Sequence, residues 1–345
     1  MNNTILVTGG TGYIGSWVCK YLLDKGYRVR LSIRDKSKKN KYQHLLDIEN
    51  ETEGKLELWE ADLLTEGAFD KPAEGCSAII HIASPFTLRF KDAQKELIDP
   101  ALKGTRNVLR GAANSTTVKK VILTSSVAAV HGDNIDMKEL GLDEFTEEHF
   151  NYSSSVNHQP YSYSKVLAEK EAWAISKNQS KWTLVVINPS FVLGPSLTMA
   201  SSSESLNFMK EMLTGKYHMG APNLMFGFVD VRDVAKAHIL ALESNTAKGR
   251  HILAERTENV FNFSQLIKRI YGNKYKLPLM KTPKFMLYFV GWMFGLKPKF
   301  ISRNIAYDIK LNASKSREKL KLDYTPLQQT IKDMVTQMQN SKIIK

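Results

Sequence analysis

The chain has 345 residues, of which 43% are hydrophobic and 24% charged, and its formal net charge is +13. This composition is ordinary for a globular protein with a large core, and no low-complexity tract or fixed-period repeat interrupts it. Two distant cysteines, Cys19 and Cys76, exclude a disulfide framework and a structural zinc site, and we expect no metal. The lysines are spread out and no nucleic-acid-binding module is recognisable, so we expect no nucleic acid partner.

The first half of the chain alternates strand and helix patterns. Short apolar or alternating runs predict strands at residues 4–7, 27–33, 55–59, 77–81, 120–123 and 182–187. Amphipathic spacing predicts helices at residues 13–25, 96–113 and 164–176. This βαβ alternation predicts an α/β fold with a Rossmann-type, doubly wound parallel sheet covered by helices on both faces.

The regularity weakens after residue 189. Residues 190–225 are rich in Ser, Met, Gly and Pro, and aromatic helices are predicted from about residue 260 onward. We therefore predict a Rossmann domain over residues 1–189, to which 226–250 return. A smaller, discontinuous C-terminal substrate lobe would comprise 190–225 and 251–345.

Residues 285–294 form the most membrane-like stretch. They are too few to span a bilayer, which needs about 20 apolar residues, so we expect no membrane span. We favour a core or pocket-lining helix, and a helix lying on a membrane surface stays open. The N-terminus lacks a basic region followed by a long apolar run, which predicts a cytoplasmic protein.

A glycine motif follows the first predicted strand. Gly10, Gly12 and Gly15 satisfy GxGxxG, and Gly9, Gly12 and Gly15 satisfy GxxGxxG. Glycines permit a tight turn and a close approach of backbone to a pyrophosphate, which then lies at the N-terminus of the following helix. Because a strand precedes the motif and a helix follows it, we predict a dinucleotide site.

The end of the second predicted strand indicates which cofactor binds. An NAD site usually has an acidic residue about 20 residues after the glycines, and that position holds Arg34, followed by Asp35. A guanidinium suits a 2′-phosphate, and a carboxylate would repel it. Several lysines follow, among them Lys41. We therefore predict NADP(H) as the cofactor.

Tyr161 and Lys165 are four residues apart, which places both side chains on one face of a helix. A nearby ammonium and an oxidised nicotinamide would lower the pKa of the phenol, so that Tyr161 protonates an alkoxide as hydride reaches a carbonyl carbon. The stretch Thr124-Ser125-Ser126 follows the fifth strand, where a serine hydroxyl would hold the carbonyl oxygen. Tyr163 has no lysine four residues on. Tyr161, Lys165 and one of these serines are therefore the candidate catalytic residues.

The chain resembles the extended short-chain dehydrogenases/reductases, most of all their branch of dihydroflavonol reductases and aldehyde reductases. The matching segments are VTGGTGYIGSWV, YRVRLSIRD, HLLDI, LELWEADL, HIASPF, VILTSSVAAV, YSYSKVLAEKEAW, INPSFVLGP, FVDVRDVAKAHI and NASKSREKLKLDYTPLQQTI. This resemblance implies Ser126, Tyr161 and Lys165 as catalytic residues and Arg34 and Lys41 as 2′-phosphate contacts. The other implied cofactor contacts are Gly9, Thr11, Gly12, Tyr13, Ile14, Gly15, Asp62, Leu63, Ala83, Ser84 and Pro189, with Tyr161 and Lys165 again.

The substrate pocket departs from the plant dihydroflavonol reductases. They carry Asn or Asp five residues after the catalytic serine, where this chain has His131, and no glutamine precedes Phe228 to match their second polyphenol contact. A flavonoid is therefore not expected. We predict a pocket lined by Ser126, His131, Phe86 and Phe191, for an apolar or aromatic aldehyde or ketone.

The predicted function is NADPH-dependent reduction of a small-molecule carbonyl by a monomer or homodimer. Two alternatives remain. One is an NAD-dependent nucleotide-sugar epimerase or dehydratase on the same fold, against which Arg34 argues. The other is a non-catalytic, NADP-sensing regulator, against which the complete set of Ser126, Tyr161 and Lys165 argues.

Overall fold

The computed structural model describes residues 3–84, 90–198 and 203–344. The strands are β1 (Thr4–Thr8), β2 (Arg28–Ile33), β3 (Lys55–Glu60), β4 (Ala78–His81), β5 (Lys120–Thr124), β6 (Thr183–Pro189), β7 (Phe191–Leu193), β8 (Ala221–Pro222), β9 (Met225–Asp230), β10 (Gly249–Leu253), β11 (Arg256–Asn259) and β12 (Lys281–Thr282). The α-helices are α1 (Tyr13–Asp24), α2 (Gln43–Asn50), α3 (Asp70–Ala73), α4 (Asp99–Asn114), α5 (Asp136–Glu139), α6 (Pro160–Lys177), α7 (Glu204–Leu213), α8 (Val231–Glu243), α9 (Val260–Tyr271), α10 (Lys284–Val290), α11 (Pro298–Asn304), α12 (Ser314–Lys319) and α13 (Leu327–Asn340).

The main sheet has seven parallel strands in the order β10-β6-β5-β4-β1-β2-β3. Strand β1 lies inside the sheet, where it pairs with β2 on one side and with β4 on the other, so that Ile5 lies between Val29 and Ala78. The predicted α/β fold with a doubly wound parallel sheet is confirmed. Since β1 and β4 are adjacent, the strand order reverses between them, and a ligand crevice forms at such a point.

Helices cover both faces of this sheet. On one face, α1 packs against α8, and on the other α4 packs against α6. Val18, Cys19, Leu22 and Leu23 of α1 are fully buried, at the i, i+4 spacing that directs one helical stripe onto a sheet. Between the helix layers, the inner strands β1, β4, β5 and β6 read as largely continuous apolar runs because water reaches neither face.

The rest of the chain builds a second cluster of elements. A three-stranded sheet has the order β11-β9-β7, and β8 pairs with β12. These strands pack with α7, α9 and α13 around an apolar core that includes Phe228 and Phe263. The segment expected to return to the Rossmann domain divides: β9 joins the small sheet, whereas α8 covers the main sheet and β10 forms its edge.

The apolar segment at 285–294 is not a core helix. Leu287 and Gly291 are buried, but Phe285 is 66% exposed, and Phe289 and Trp292 are each 75% exposed. The favoured core or pocket-lining interpretation is therefore wrong for most of this segment. Among the described residues, no helix is long and apolar enough to cross a membrane.

We expect the fold to lose stability as the pH falls below about 6.5, the unfolded-state pKa of histidine. Burial lowers the pKa of His81 to about 3 and that of His238 to about 4. The neutral ring of His238 is held by Thr124 and by the Val234 carbonyl, each at 2.7 Å. A lowered folded-state pKa means that acid protonates the unfolded chain first, so between pH 6.5 and 5 His238 alone would cost about 2 kcal/mol.

Urea denaturation at pH 7 and pH 5 measures this loss. His238→Gln should reduce the difference between the two pH values, whereas His218→Gln, at a half-buried histidine of the second cluster, should not. Equal pH dependence in the parent and in His238→Gln would contradict the assignment.

Candidate active site

The predicted glycine motif forms the turn between β1 and α1. Gly9 has a φ of +72°, and the Gly12 N–H donates a hydrogen bond to the Gly9 carbonyl at 3.0 Å. A Cβ on Gly15 would lie 2.1 Å from the Gly9 oxygen, and one on Gly9 would lie 2.6 Å from the Ala83 nitrogen. These positions therefore require glycine, and the turn brings bare backbone to the N-terminus of α1 beside the β4 loop.

Residues at the start of α1 also connect it to the second cluster of elements. The Tyr13 hydroxyl donates to the Gly194 carbonyl at 2.6 Å, and Trp17 Nε1 donates to the Pro195 carbonyl at 2.8 Å. Thr11 and Ile14, both half-buried, lie on either side of Gly12 and Tyr13 in the same turn. The predicted phosphate-binding turn therefore has one wall formed by the segment that follows β7.

Arg34 is exposed directly after β2, and Lys41 is exposed in a short 3₁₀ turn at Lys39–Lys41. The neighbouring Asp35 is engaged within its own loop: its Oδ1 accepts hydrogen bonds from Ser37 N at 2.9 Å and Ser37 Oγ at 2.5 Å. These bonds lower the pKa of Asp35 below its usual value. The carboxylate therefore has local partners, while the guanidinium of Arg34 is open to solvent.

The loops after β3 and β4 contain the residues predicted beside the adenine and ribose. Asp62 Oδ1 accepts from Leu64 N at 2.7 Å, and the Leu63 carbonyl accepts from Asn107 Nδ2 at 2.7 Å. Ala83 N donates to the Thr8 carbonyl at 3.2 Å. Ser84 is the last described residue before the gap at 85–89. Phe86, predicted to line the pocket, lies outside the described residues.

Tyr161 and Lys165 lie together in the first turns of α6, which begins at Pro160. The Lys165 Nζ is 5.8 Å from the centre of the Tyr161 ring. Burial lowers the pKa of Lys165 to about 8, opposed by the charge of Glu169. Burial also raises the pKa of Tyr161 to about 12, so the expected lowering by the ammonium is not seen. At neutral pH the phenol is protonated, which is the form that a proton donor needs.

Ser126 follows β5 and caps a 3₁₀ turn at Val127–Ala129. Its Oγ accepts from Ala128 N at 3.1 Å, and its carbonyl accepts from Asn188 Nδ2 at 3.1 Å. This turn packs against α6, the helix of Tyr161 and Lys165. Pro189 ends β6, the strand beside β5. The fold therefore brings the three predicted catalytic residues to the carboxyl edge of neighbouring strands.

A small cavity opens beneath these residues at the same edge. Lys165 and the predicted cofactor contacts Ala83 and Ser84 border it together. The full lining is His81, Ala83, Ser84, Ala101, Gly104, Thr105, Leu123, Thr124, Ser125, Lys165, Ala168 and Glu169. Burial, then the charge of Lys165, lowers the pKa of His81, which is therefore neutral at pH 7.

A buried polar network centred on Glu169 lies beside the predicted site residues and was not among them. Its carboxylate accepts from Ser125 Oγ at 2.5 Å and from Asn188 Nδ2 at 2.8 Å, and it pairs with Arg250 Nε at 2.6 Å. The side chain of Glu169 is fully buried and that of Arg250 is 6% exposed. The sequence spacing could have pointed to Glu169, because it follows Lys165 by four residues and therefore lies on the face of α6 that holds Tyr161.

Two of the predicted substrate-pocket residues, His131 and Phe191, pack against different aromatic neighbours. The His131 ring stacks on Phe145, with 5.0 Å between ring centroids, and burial lowers its pKa to about 4. Phe191 packs against Phe208 and Phe226, at 5.3 and 5.8 Å, in the aromatic core of the second cluster. Neither residue borders the cavity that contains Lys165.

The chain is similar to known proteins in family, sequence and fold. The model of the NAD dependent epimerase/dehydratase family matches residues 5–254. Cinnamoyl-CoA reductase CAD2 from Medicago truncatula is 37% identical over 99% of this chain and 97% of its own length. Dihydroflavonol 4-reductase from Gerbera hybrida is 32% identical over 77% of this chain and 72% of its own length. The structure of Gre2 from Candida albicans in complex with NADPH superposes with a TM-score of 0.77 and 32% identity, covering 98% of this chain and 99% of that one.

Proposed function

Because the chain belongs to the NAD dependent epimerase/dehydratase family, and its similar relatives include reductases of the predicted dihydroflavonol reductase-like branch, we propose that it reduces a small-molecule aldehyde or ketone to an alcohol with NADPH. The observation that carries this proposal is the Tyr161–Lys165 pair on α6, in which Lys165 borders the same cavity as Ala83, the residue against which Gly9 of the glycine turn packs. The neighbour Gre2, solved with NADPH, supports the choice of cofactor.

The residues present fit a dinucleotide. The glycine motif leaves no room for a Cβ at Gly9 in the turn or at Gly15 in the first turn of α1, which begins at Tyr13. This turn would hold the pyrophosphate, Arg34 and Lys41 would hold the 2′-phosphate, and Lys165 would hold the nicotinamide ribose. When bound, NADPH supplies the hydride for the carbonyl carbon.

The protein's own groups handle the oxygen and the proton. Ser126 Oγ–H would donate to the substrate carbonyl and hold its oxygen beside Tyr161. The protonated phenol of Tyr161 would give its proton to that oxygen as negative charge develops. Lys165 would compensate the phenolate that remains. The second cluster of elements would form the substrate lobe and contribute Phe191, while Phe86 and His131 are proposed substrate contacts from the Rossmann domain.

The decisive experiment follows NADPH absorbance against a panel of aldehydes, ketones and a cinnamoyl thioester. We expect oxidation of NADPH with at least one apolar or aromatic carbonyl. Protein that purifies with NAD retained and consumes no NADPH with any member of the panel would favour the epimerase or dehydratase alternative. Tight NADPH binding without any turnover would favour the NADP-sensing regulator.

Cofactor preference should depend on Arg34. Arg34→Ser removes the guanidinium proposed for the 2′-phosphate, and we expect NADPH affinity to fall by about tenfold or more while NADH affinity changes little, since charge-assisted bonds contribute about 1.5–3 kcal/mol. Fluorescence titration with both cofactors measures this. Arg28→Ser, at the opposite end of β2, is the control. An unchanged NADPH affinity in Arg34→Ser would remove Arg34 from the site.

A further inference from the structure

A contiguous set of large apolar side chains stands exposed on α10 and the 3₁₀ turn at Gly291–Phe294. This aromatic patch consists of Phe285, Met286, Tyr288, Phe289, Trp292, Met293 and Phe294. Folded proteins rarely expose contiguous apolar surface without an interaction to cover it. The proposed reductase chemistry uses none of these residues.

The patch is held in position by its flanks. Lys284 Nζ donates to the Ser302 carbonyl at 2.8 Å and to the Ile305 carbonyl at 3.0 Å. Leu287 is the buried residue of α10, and the Phe294 ring stacks on the Tyr217 ring with 6.1 Å between their centroids. The backbone is therefore anchored to the second cluster while its aromatic side chains face outward.

The stretch of sequence that contains the patch carries charge of one sign. Between Glu258 and Asp308 the sequence has nine lysines or arginines and no acidic residue. One of them, Arg303, is neutralised by ion pairs with Asp133, Asp136 and Glu139. Between residues 274 and 299 the exposed lysines are Lys274, Lys276, Lys281, Lys297 and Lys299.

We propose that the aromatic patch docks this protein reversibly on an anionic membrane surface. Trp, Tyr and Phe side chains suit the boundary between headgroups and acyl chains, and lysines around them attract anionic headgroups. A second copy of this chain suits the patch less, because a twofold interface would place the same lysine-rich border against itself.

The chain just beyond the patch approaches the start of α6, the helix of Tyr161. Lys297, three residues beyond Phe294, borders the same surface hollow as Pro160, which precedes Tyr161. Docking would therefore bring the start of α6 near the bilayer. The proposal itself does not depend on the reductase activity, because binding to lipid is measured without turnover.

Co-sedimentation of the full chain with vesicles tests the proposal. We expect binding to phosphatidylcholine vesicles that contain phosphatidylserine, weak binding to pure phosphatidylcholine, and loss of binding at high salt. Phe289→Ser/Trp292→Ser and Lys297→Glu/Lys299→Glu should each weaken binding at least about tenfold, with melting temperature and NADPH affinity unchanged. Tyr152→Ser, at a tyrosine 53% exposed elsewhere, is the matched control.

Two results would overturn the proposal. In the first, the parent protein does not sediment with phosphatidylserine vesicles but forms a dimer that Trp292→Ser disrupts. That result would assign the patch to a second copy of this chain. The other is equal vesicle binding by the parent and both double variants, which would show that the patch is not the docking surface.

Discussion

Replacing Tyr161 by phenylalanine should lower the rate of NADPH oxidation about 10²- to 10⁴-fold, the usual contribution of one general acid. The phenol is held beside the Lys165 ammonium, and its pKa of about 12 keeps the proton in place until the carbonyl oxygen gains negative charge. Phenylalanine keeps the ring and removes only the hydroxyl group that carries the proton. NADPH affinity should therefore stay within about twofold, because no phosphate contact changes.

Tyr163→Phe is the matched control for this experiment. Tyr163 lies on the same helix two residues further on. Unlike Tyr161, it has no lysine four residues later in the sequence. We expect this variant to turn over at the parent rate. If Tyr161→Phe kept the parent rate, or if Tyr163→Phe alone lost it, the proposed proton donor would be wrong.

The sheet and the glycine turn were predictable because local sequence dictates them. Buried parallel strands such as β5 read as apolar runs, and Gly9 has a positive φ that glycine adopts without strain. The spacing of Tyr161 and Lys165 places two side chains on one helical face without any tertiary information. These features need no knowledge of distant parts of the chain.

Other features depend on contacts that no local pattern contains. Arg250 and Glu169 are 81 residues apart in the sequence, and they meet only because β10 pairs with β6. Segment 285–294 is apolar enough to form part of a core. It is nevertheless exposed, because the rest of the second cluster does not pack over it. The raised pKa of Tyr161 likewise follows from the burial of α6, whereas the sequence showed only the neighbouring lysine.

Glu169→Gln should destabilise the protein by about 3–5 kcal/mol, because it leaves Arg250 buried without its counter-charge. The free energy of unfolding in urea measures this. Glu171→Gln, on the same helix, breaks an ion pair with Arg106 that is 2.7 Å long but largely exposed. That control should cost at most about 1 kcal/mol.

If Glu169 had a purely structural role, its replacement would change only the free energy of unfolding. The geometry predicts that the pKa of Lys165 changes as well. The Glu169 carboxylate holds the pKa of Lys165 up against burial, so its loss should lower that pKa below about 8. Because the protonated ammonium is the active form, the alkaline decline in the rate of NADPH oxidation should begin at lower pH in Glu169→Gln than in the parent or in Glu171→Gln. An unshifted profile in a folded Glu169→Gln variant would confine this residue to the support of β6 and β10. A shifted one would make the buried Glu169–Arg250 pair the element that sets the charge beside Tyr161.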